Sequence, residues 1–339
     1  MHQQIHSAAQ TIVITGGNTG LGYQCARSVA AARPDWQIVI ASRNPNAPAA
    51  ARQISAETGN AHVTVLPLDL ASLASIRAFA TQLAASDLPP LRAIVCNAGI
   101  QIVTGTRYTS DGFETTFGVN HLGHFLLLNL LLPQMSVPGR IVLVSSGTHD
   151  PNEPTARMIG GYAPRFRDVQ ALACPNRFPN PAERGESAVL TGRHRYGTSK
   201  LCNLLCAYEL ARRLQAGAFG DVHHATTANA FDPGLMPGTG LAREADALTR
   251  FAWNRLLPLL NDRVAGINSV CVSGENLARL VLDPAVAALT GAYIVGQAEA
   301  RSSDESYDQA KAQQLWDGSQ ALVDLQAAVR ASSGAMLAA

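Results

Sequence analysis

The chain has 339 residues, 47% hydrophobic and 15% charged, with a formal net charge of +1. That composition suits a soluble globular fold with a large core, and it offers no field for nucleic acid or anionic lipid. No apolar run spans a bilayer and the opening MHQQIHSAAQ has no secretory pattern, so no membrane anchor and a cytoplasmic location are the expectation.

Apolar, β-branched runs recur with helical patterns between them: TIVIT at 11–15, WQIVIAS at 36–42, HVTVLPLD at 62–69, LRAIVCN at 91–97 and RIVLVSS at 140–146. ATTANAFDP at 225–233 and GAYIVG at 291–296 read as two more strands. Runs apolar almost throughout suit strands buried on both faces. Their alternation with helices predicts a single doubly wound α/β domain over 1–339, with a mostly parallel seven-stranded sheet and helices on both faces. The rhythm breaks between Ser146 and Tyr196, where a stretch rich in Pro, Gly, Arg and Asn reads as a loop inserted at about 147–195. Two readings of it stand: a cover over an active site, or a surface excursion.

The first strand runs into TGGNTGLG. Gly16, Gly17, Gly20 and Gly22 bracket a turn, joined by Asn18, Thr19 and Leu21, that opens a helix. Its free N–H groups and positive helix end make a place for a pyrophosphate. After the second strand, where an NAD enzyme usually carries an acid for the ribose 2′-hydroxyl, this chain has Ser42 and Arg43. A guanidinium there pairs with a 2′-phosphate, so NADP is favoured over NAD. The other reading of Arg43 is a solvated loop arginine.

Cys25, Cys96, Cys174, Cys202, Cys206 and Cys271 are spread along the chain as reduced thiols would be. Cys202 and Cys206 lack a second ligand pair, and His121 and His124 sit in an apolar helix beside Asn120, so no metal is expected.

Further along come LDL at 68–70, CNAG at 96–99, VNHLGHFLL at 119–127, VSS at 144–146 and YGTSK at 196–200. With the glycine turn, and in this order, they resemble the short-chain dehydrogenase/reductase family over nearly the whole chain, which implies a Rossmann-type fold. The resemblance places Gly16, Gly20 and Gly22 at the pyrophosphate. Asp69, with Leu70, falls near the adenine; Asn97, Ala98 and Gly99 along the ribose; Pro233 and Gly234 at the later strand end. Asn120, Ser146, Tyr196 and Lys200 fall on the family's catalytic tetrad. Ser145 competes with Ser146, and the usual register of the VSS motif selects Ser146.

The chemistry explains these residue types. The nicotinamide carries the hydride, so the protein orients a carbonyl and handles one proton. A phenol with a pKa near 10 must be made more acidic to do so at neutral pH. Lys200, at i+4 from Tyr196, lies on the same helix face and is expected to lower it. The resemblance further implies that Lys200 holds the nicotinamide ribose and that Asn120 organises a water leading from Lys200 to solvent.

Within the family, YGTSKLCNLLCAYELARR and the tail pattern look like the branch of retinol dehydrogenases and protochlorophyllide reductases. The cysteine that the latter carry directly after Pro-Gly is replaced here by Leu235. The region 235–265 mixes aromatic and aliphatic side chains where the family builds its substrate loop, pointing to an apolar carbonyl or alcohol as the small-molecule substrate. A helix that only packs, or mediates the homo-oligomer contacts frequent in the family, is the other reading. The competing functional class is a catalytically silent NADP-binding sensor or interaction module. A filled tetrad favours turnover.

Overall fold

The computed structural model describes residues 9–158, 160–239, 250–264 and 266–337, with side chains described as far as residue 324. Part of the expected substrate region, residues 240–249 and 265, lies outside the described residues.

The strands are β1 (Thr11–Thr15), β2 (Gln37–Ala41), β3 (Val63–Leu66), β4 (Leu91–Cys96), β5 (Met135–Val144), β6 (Thr227–Asp232), β7 (Tyr293–Val295) and β8 (Ala298–Ala300). They form one sheet in the order β3-β2-β1-β4-β5-β6-β7-β8. Every pairing is parallel except β7 with β8.

The expected seven strands become eight. The addition is a hairpin arm in which Val295 pairs with Ala298 across Gly296-Gln297, with Gly296 at φ +60°. Its sequence, AEA, is short and carries no β-branched residue, so hydrophobic pattern alone could not show it.

Side-chain alternation along the strands splits the core into two layers. Ile12, Ile14, Ile38, Ile40, Ala93 and Val95 face α1 (Gly20–Ala32) and α2 (Ala47–Thr58). Val13, Val39, Ile94 and Cys96 face the opposite layer of α3 (Leu73–Ala85), the single turn α4 (Thr115–Phe117) and α5 (Gly123–Leu131). These strands are buried on both faces, which is why they read as continuous apolar runs.

The stretch expected as an inserted loop is partly ordered. It contains α6 (Pro154–Met158) and α7 (Val169–Ala173), and its last eight residues already belong to the long helix α8 (Ala188–Gln215). Ser187 caps α8 by accepting the Leu190 N–H, so the helix starts two turns before Tyr196. The insertion is stapled to α8. Arg165 pairs with Glu186 at 2.6 Å and its N–H donates to Thr198 Oγ1 at 2.8 Å, while Arg195 pairs with Glu183 at 2.7 Å. Helix α9 (Val270–Leu282) completes the first layer and α10 (Gln309–Leu337) the second.

Candidate active site

The sheet reverses direction of growth at the β1/β4 boundary, where loops leaving the carboxyl ends of neighbouring strands run to opposite faces. A crevice opens there. The cleft measures about 400 Å³ and extends past the ends of β1, β2, β4, β5 and β6.

Its floor at one end is the glycine turn. Gly16, Asn18, Thr19, Gly20 and Leu21 line the cleft. Gly16 and Gly20 sit at φ +65° and +56°, in the left-handed region that glycine adopts without strain. A Cβ at Gly20 would meet nothing within 4 Å, so the turn leaves open space above α1. The helix start itself has no acidic residue and Thr19 makes no side-chain cap, which leaves its N–H groups free for an anion. Gly22 does not line the cleft. It lets α1 press against the turn, since a Cβ there would lie 2.5 Å from Asn97 Nδ2 and 2.6 Å from Gly16 O.

Beyond β2, Ser42 donates to Asn18 Oδ1 at 2.8 Å, and Arg43 pairs with Asp69 at 3.1 Å. The Arg43 side chain is 64% exposed, so the pair is a surface one. Asp69 and Leu70 form the neighbouring wall. Asn97, Ala98 and Gly99 follow β4, locked to β1 through one hydroxyl: Thr15 Oγ1 accepts the N–H groups of Asn97 and Ala98, both at 2.9 Å.

At the other end Ser146, Tyr196, Lys200, Pro233 and Gly234 converge. Helix α8 brings Tyr196 and Lys200 to the same wall, with the Lys200 ammonium 5.5 Å from the Tyr196 ring centroid. Lys200 Nζ donates to Val144 O at 3.1 Å, which fixes it at the end of β5. The close approach of α8 to the segment after Ser146 depends on Gly197, where a Cβ would lie 2.8 Å from Thr148 O.

The two serines are used differently. Ser145 is 1% exposed and donates its hydroxyl to Lys200 O at 2.9 Å. Ser146 is half-buried at the cleft, and its Oγ accepts the Thr148 N–H at 3.3 Å. Asn120 is fully buried behind the wall, not on it. Its amide bridges both backbone groups of Ile100, at 2.8 and 2.9 Å, and donates to Ser199 Oγ at 3.0 Å. It falls within a π-helical turn, Gly118–Leu122, ahead of α5.

Electrostatics depart from the sequence-based expectation. Burial, and after it the Asp232 carboxylate, pushes the Tyr196 phenol above its ordinary value, so Lys200 by itself does not acidify it. Burial also holds Lys200 down to about 8, with Asp232 acting in the opposite direction. Asp232 is the residue sequence reasoning missed. It is 2% exposed at the end of β6, and it accepts hydrogen bonds from Tyr293 Oη at 2.7 Å and Gly234 N at 2.9 Å. Its only signal was an acid directly before Pro233-Gly234.

The insertion also reaches the cleft, through Thr148, Thr155 and Ala156. Leu235, Met236 and Thr239 face them from the region after β6. Trp253 anchors that region by donating to Thr239 O at 3.0 Å. His121 and His124 are buried and hydrogen-bonded to Ser319 Oγ and Thr15 Oγ1, both at 2.9 Å. Burial lowers their pKa values to about 3 and about 4. Among the described residues no group of three or more His, Cys, Asp or Glu is placed to hold a metal ion. Among the same residues no helix is long and apolar enough to cross a membrane.

Comparison with known proteins agrees with this architecture. A family model described as short chain dehydrogenase matches residues 10–157, and one described as AcuH dehydrogenase domain matches residues 240–327. The chain is 34% identical to a chloroplastic protochlorophyllide reductase of Chlamydomonas reinhardtii, over 94% of this chain and 79% of that protein. It is equally identical, 34%, to retinol dehydrogenase 12 of Mus musculus, over 94% of this chain and 87% of the relative. A crystal structure of an uncharacterised protein from Mycobacterium paratuberculosis superposes with a TM-score of 0.62 at 29% identity, covering 94% of both chains. The chain belongs to the short-chain dehydrogenase/reductase family of oxidoreductases, in the branch that holds the protochlorophyllide reductases and retinol dehydrogenases.

Proposed function

We propose that the cleft binds NADP(H) and that the protein transfers a hydride between its nicotinamide and a carbonyl/alcohol pair on an apolar substrate, with Tyr196 as general acid/base. The observation that carries this reading is the shared cleft: a glycine turn free to take a diphosphate at one end, and Tyr196, Lys200 and Ser146 together at the other.

The residues present fit the cofactor. The open turn at Gly20 and the uncapped start of α1 suit a pyrophosphate. Arg43 gives Nη1 to Asp69, which leaves its remaining N–H donors for a 2′-phosphate, and no acid at the end of β2 opposes that charge. When bound, the dinucleotide supplies or accepts the hydride, and its oxidised ring adds positive charge next to the phenol.

The chain's own residues handle the proton. Tyr196 gives it to the carbonyl oxygen in reduction and takes it from the alcohol in oxidation. Ser146 Oγ, already an acceptor of the Thr148 N–H, directs its own proton at the same oxygen and polarises it. Lys200 brings positive charge to the Tyr196 ring and offers donors to the ribose. Asn120 holds the Ile100 backbone that borders the site. Ile100, Ala156, Leu235 and Met236 give the substrate end an apolar lining.

The test is turnover by purified protein with NADPH and a panel of apolar ketones, aldehydes and quinones, followed by loss of reduced-nicotinamide absorbance. Tyr196→Phe abolishes turnover while leaving NADPH binding in place. Turnover unaffected by that substitution removes the acid/base assignment.

A further inference from the structure

Behind Ser146 lies a second buried polar network that the proposed reaction does not use. Ser146 caps the 3-10 turn Gly147–His149. The His149 side chain, 2% exposed, folds back so that Nδ1 lies 2.7 Å from Ser146 O, a carbonyl that also accepts the His149 N–H at 3.1 Å. The other ring nitrogen, Nε2, lies 3.1 Å from the Ser303 nitrogen.

A backbone N–H can only donate, so Nε2 is the acceptor and the proton is on Nδ1, where it is given to Ser146 O. Burial favours this neutral ring against the pull of Asp232, Asp150 and Glu153. The imidazole meets the Tyr293 ring edge-on at 5.1 Å, and Tyr293 donates to Asp232, which in turn holds Gly234 N. One side chain therefore connects the serine's own carbonyl to the segment following the antiparallel arm, nearly half the chain away in sequence.

We propose that His149 is a positioning residue for Ser146: its Nδ1–H pins the serine carbonyl, Ser303 N–H fixes the ring's tautomer, and together they set the direction in which the Ser146 hydroxyl faces the cleft. The inference rests on the catalytic reading of Ser146. A single bond of the 3-10 turn, His149 N–H to Ser146 O, holds the carbonyl of this extended residue at φ −172°, and the imidazole Nδ1–H adds a second donor to the same oxygen. Small errors in the placement of a polarising hydroxyl are costly, up to about 100-fold for a displacement of about 1 Å.

The experiment is a double-mutant cycle on the full chain with Ser146→Ala, read with saturating NADPH. His149→Ala lowers kcat about 10-fold to 100-fold and leaves the NADPH dissociation constant within about twofold. In the Ser146→Ala background the same substitution adds less than about twofold, because the hydroxyl it positions is gone. His149→Asn, whose amide N–H replaces Nδ1–H, restores most of the rate. Equal losses in both backgrounds, or His149→Ala within about twofold of the parent, overturn the proposal. The imidazole 15N shifts provide a readout independent of turnover and of the His149→Ala fold. They report a neutral ring protonated on Nδ1, and an Nε2–H tautomer overturns the assignment. A parent that turns over no substrate but shows the Nδ1–H ring counts against the proposed reaction, not against this geometry.

Discussion

The Ser145 hydroxyl donates to the backbone carbonyl of Lys200 at 2.9 Å, so although Ser145 borders the cleft its hydroxyl is committed to the helix that carries the ammonium. Ser145→Ala removes a buried hydrogen bond to a carbonyl that keeps its place in the α8 ladder. It should lower stability by about 0.5–1.5 kcal/mol, read as a reduced denaturation midpoint, while retaining measurable turnover. Ser146→Ala has a different profile: loss of the cap on the Thr148 N–H costs about 0.5–2 kcal/mol, and kcat falls about 100-fold or more. Loss of activity in Ser145→Ala with a fully active Ser146→Ala reverses the assignment.

Lys200 is expected to set an alkaline limit on turnover. Its value of about 8 lies below that of an ordinary lysine because burial disfavours the charge. The ammonium is therefore present below that pH and lost above it. With kcat/KM followed across pH, activity should fall about tenfold per unit on the alkaline side. Asp232→Asn removes the carboxylate that supports the ammonium, so the fall begins at lower pH. An unmoved alkaline limb in that variant separates Asp232 from the proton chemistry.

Cofactor choice is expected to rest on Arg43. Arg43→Ala should weaken NADPH about 10-fold or more and leave NADH nearly unchanged, since a charge-assisted bond is lost only with the 2′-phosphate. Titration of each nucleotide by fluorescence checks it, and equal losses for both remove the preference. The exposed Arg43–Asp69 pair contributes little to folding, so the variant should keep its melting temperature.

The glycine turn separates two kinds of constraint. Gly22→Ala drives a methyl group into Gly16 O and Asn97 Nδ2, which costs about 1–3 kcal/mol and deforms the turn, so both stability and nucleotide affinity fall. Gly20→Ala meets no atom within 4 Å but holds an L-residue at φ +56°, for about 1–2 kcal/mol of strain. Thermal denaturation and NADPH titration of the two variants distinguish the effects. Wild-type values for Gly22→Ala contradict the close packing.

The sequence by itself determined the layered α/β plan, because strands buried on both faces must be apolar throughout, and it marked the glycine turn, since φ beyond +50° strongly favours glycine. It also placed Tyr196 and Lys200 on one helix face through a fixed 3.6-residue period. What only the tertiary structure decided involves partners distant in the chain. It separated Ser145 from Ser146 by where each hydroxyl goes, and put Asn120 behind the wall instead of on it. It brought Thr155 and Ala156 of the insertion to the cleft and buried Asp232 close enough to Tyr196 and Lys200 to act on both. It also reversed the expected effect on the Tyr196 phenol, because desolvation depends on everything packed around a group and not on its i+4 neighbour alone. The eighth strand was decided the same way, by a turn and an open sheet edge with no hydrophobic pattern to announce it.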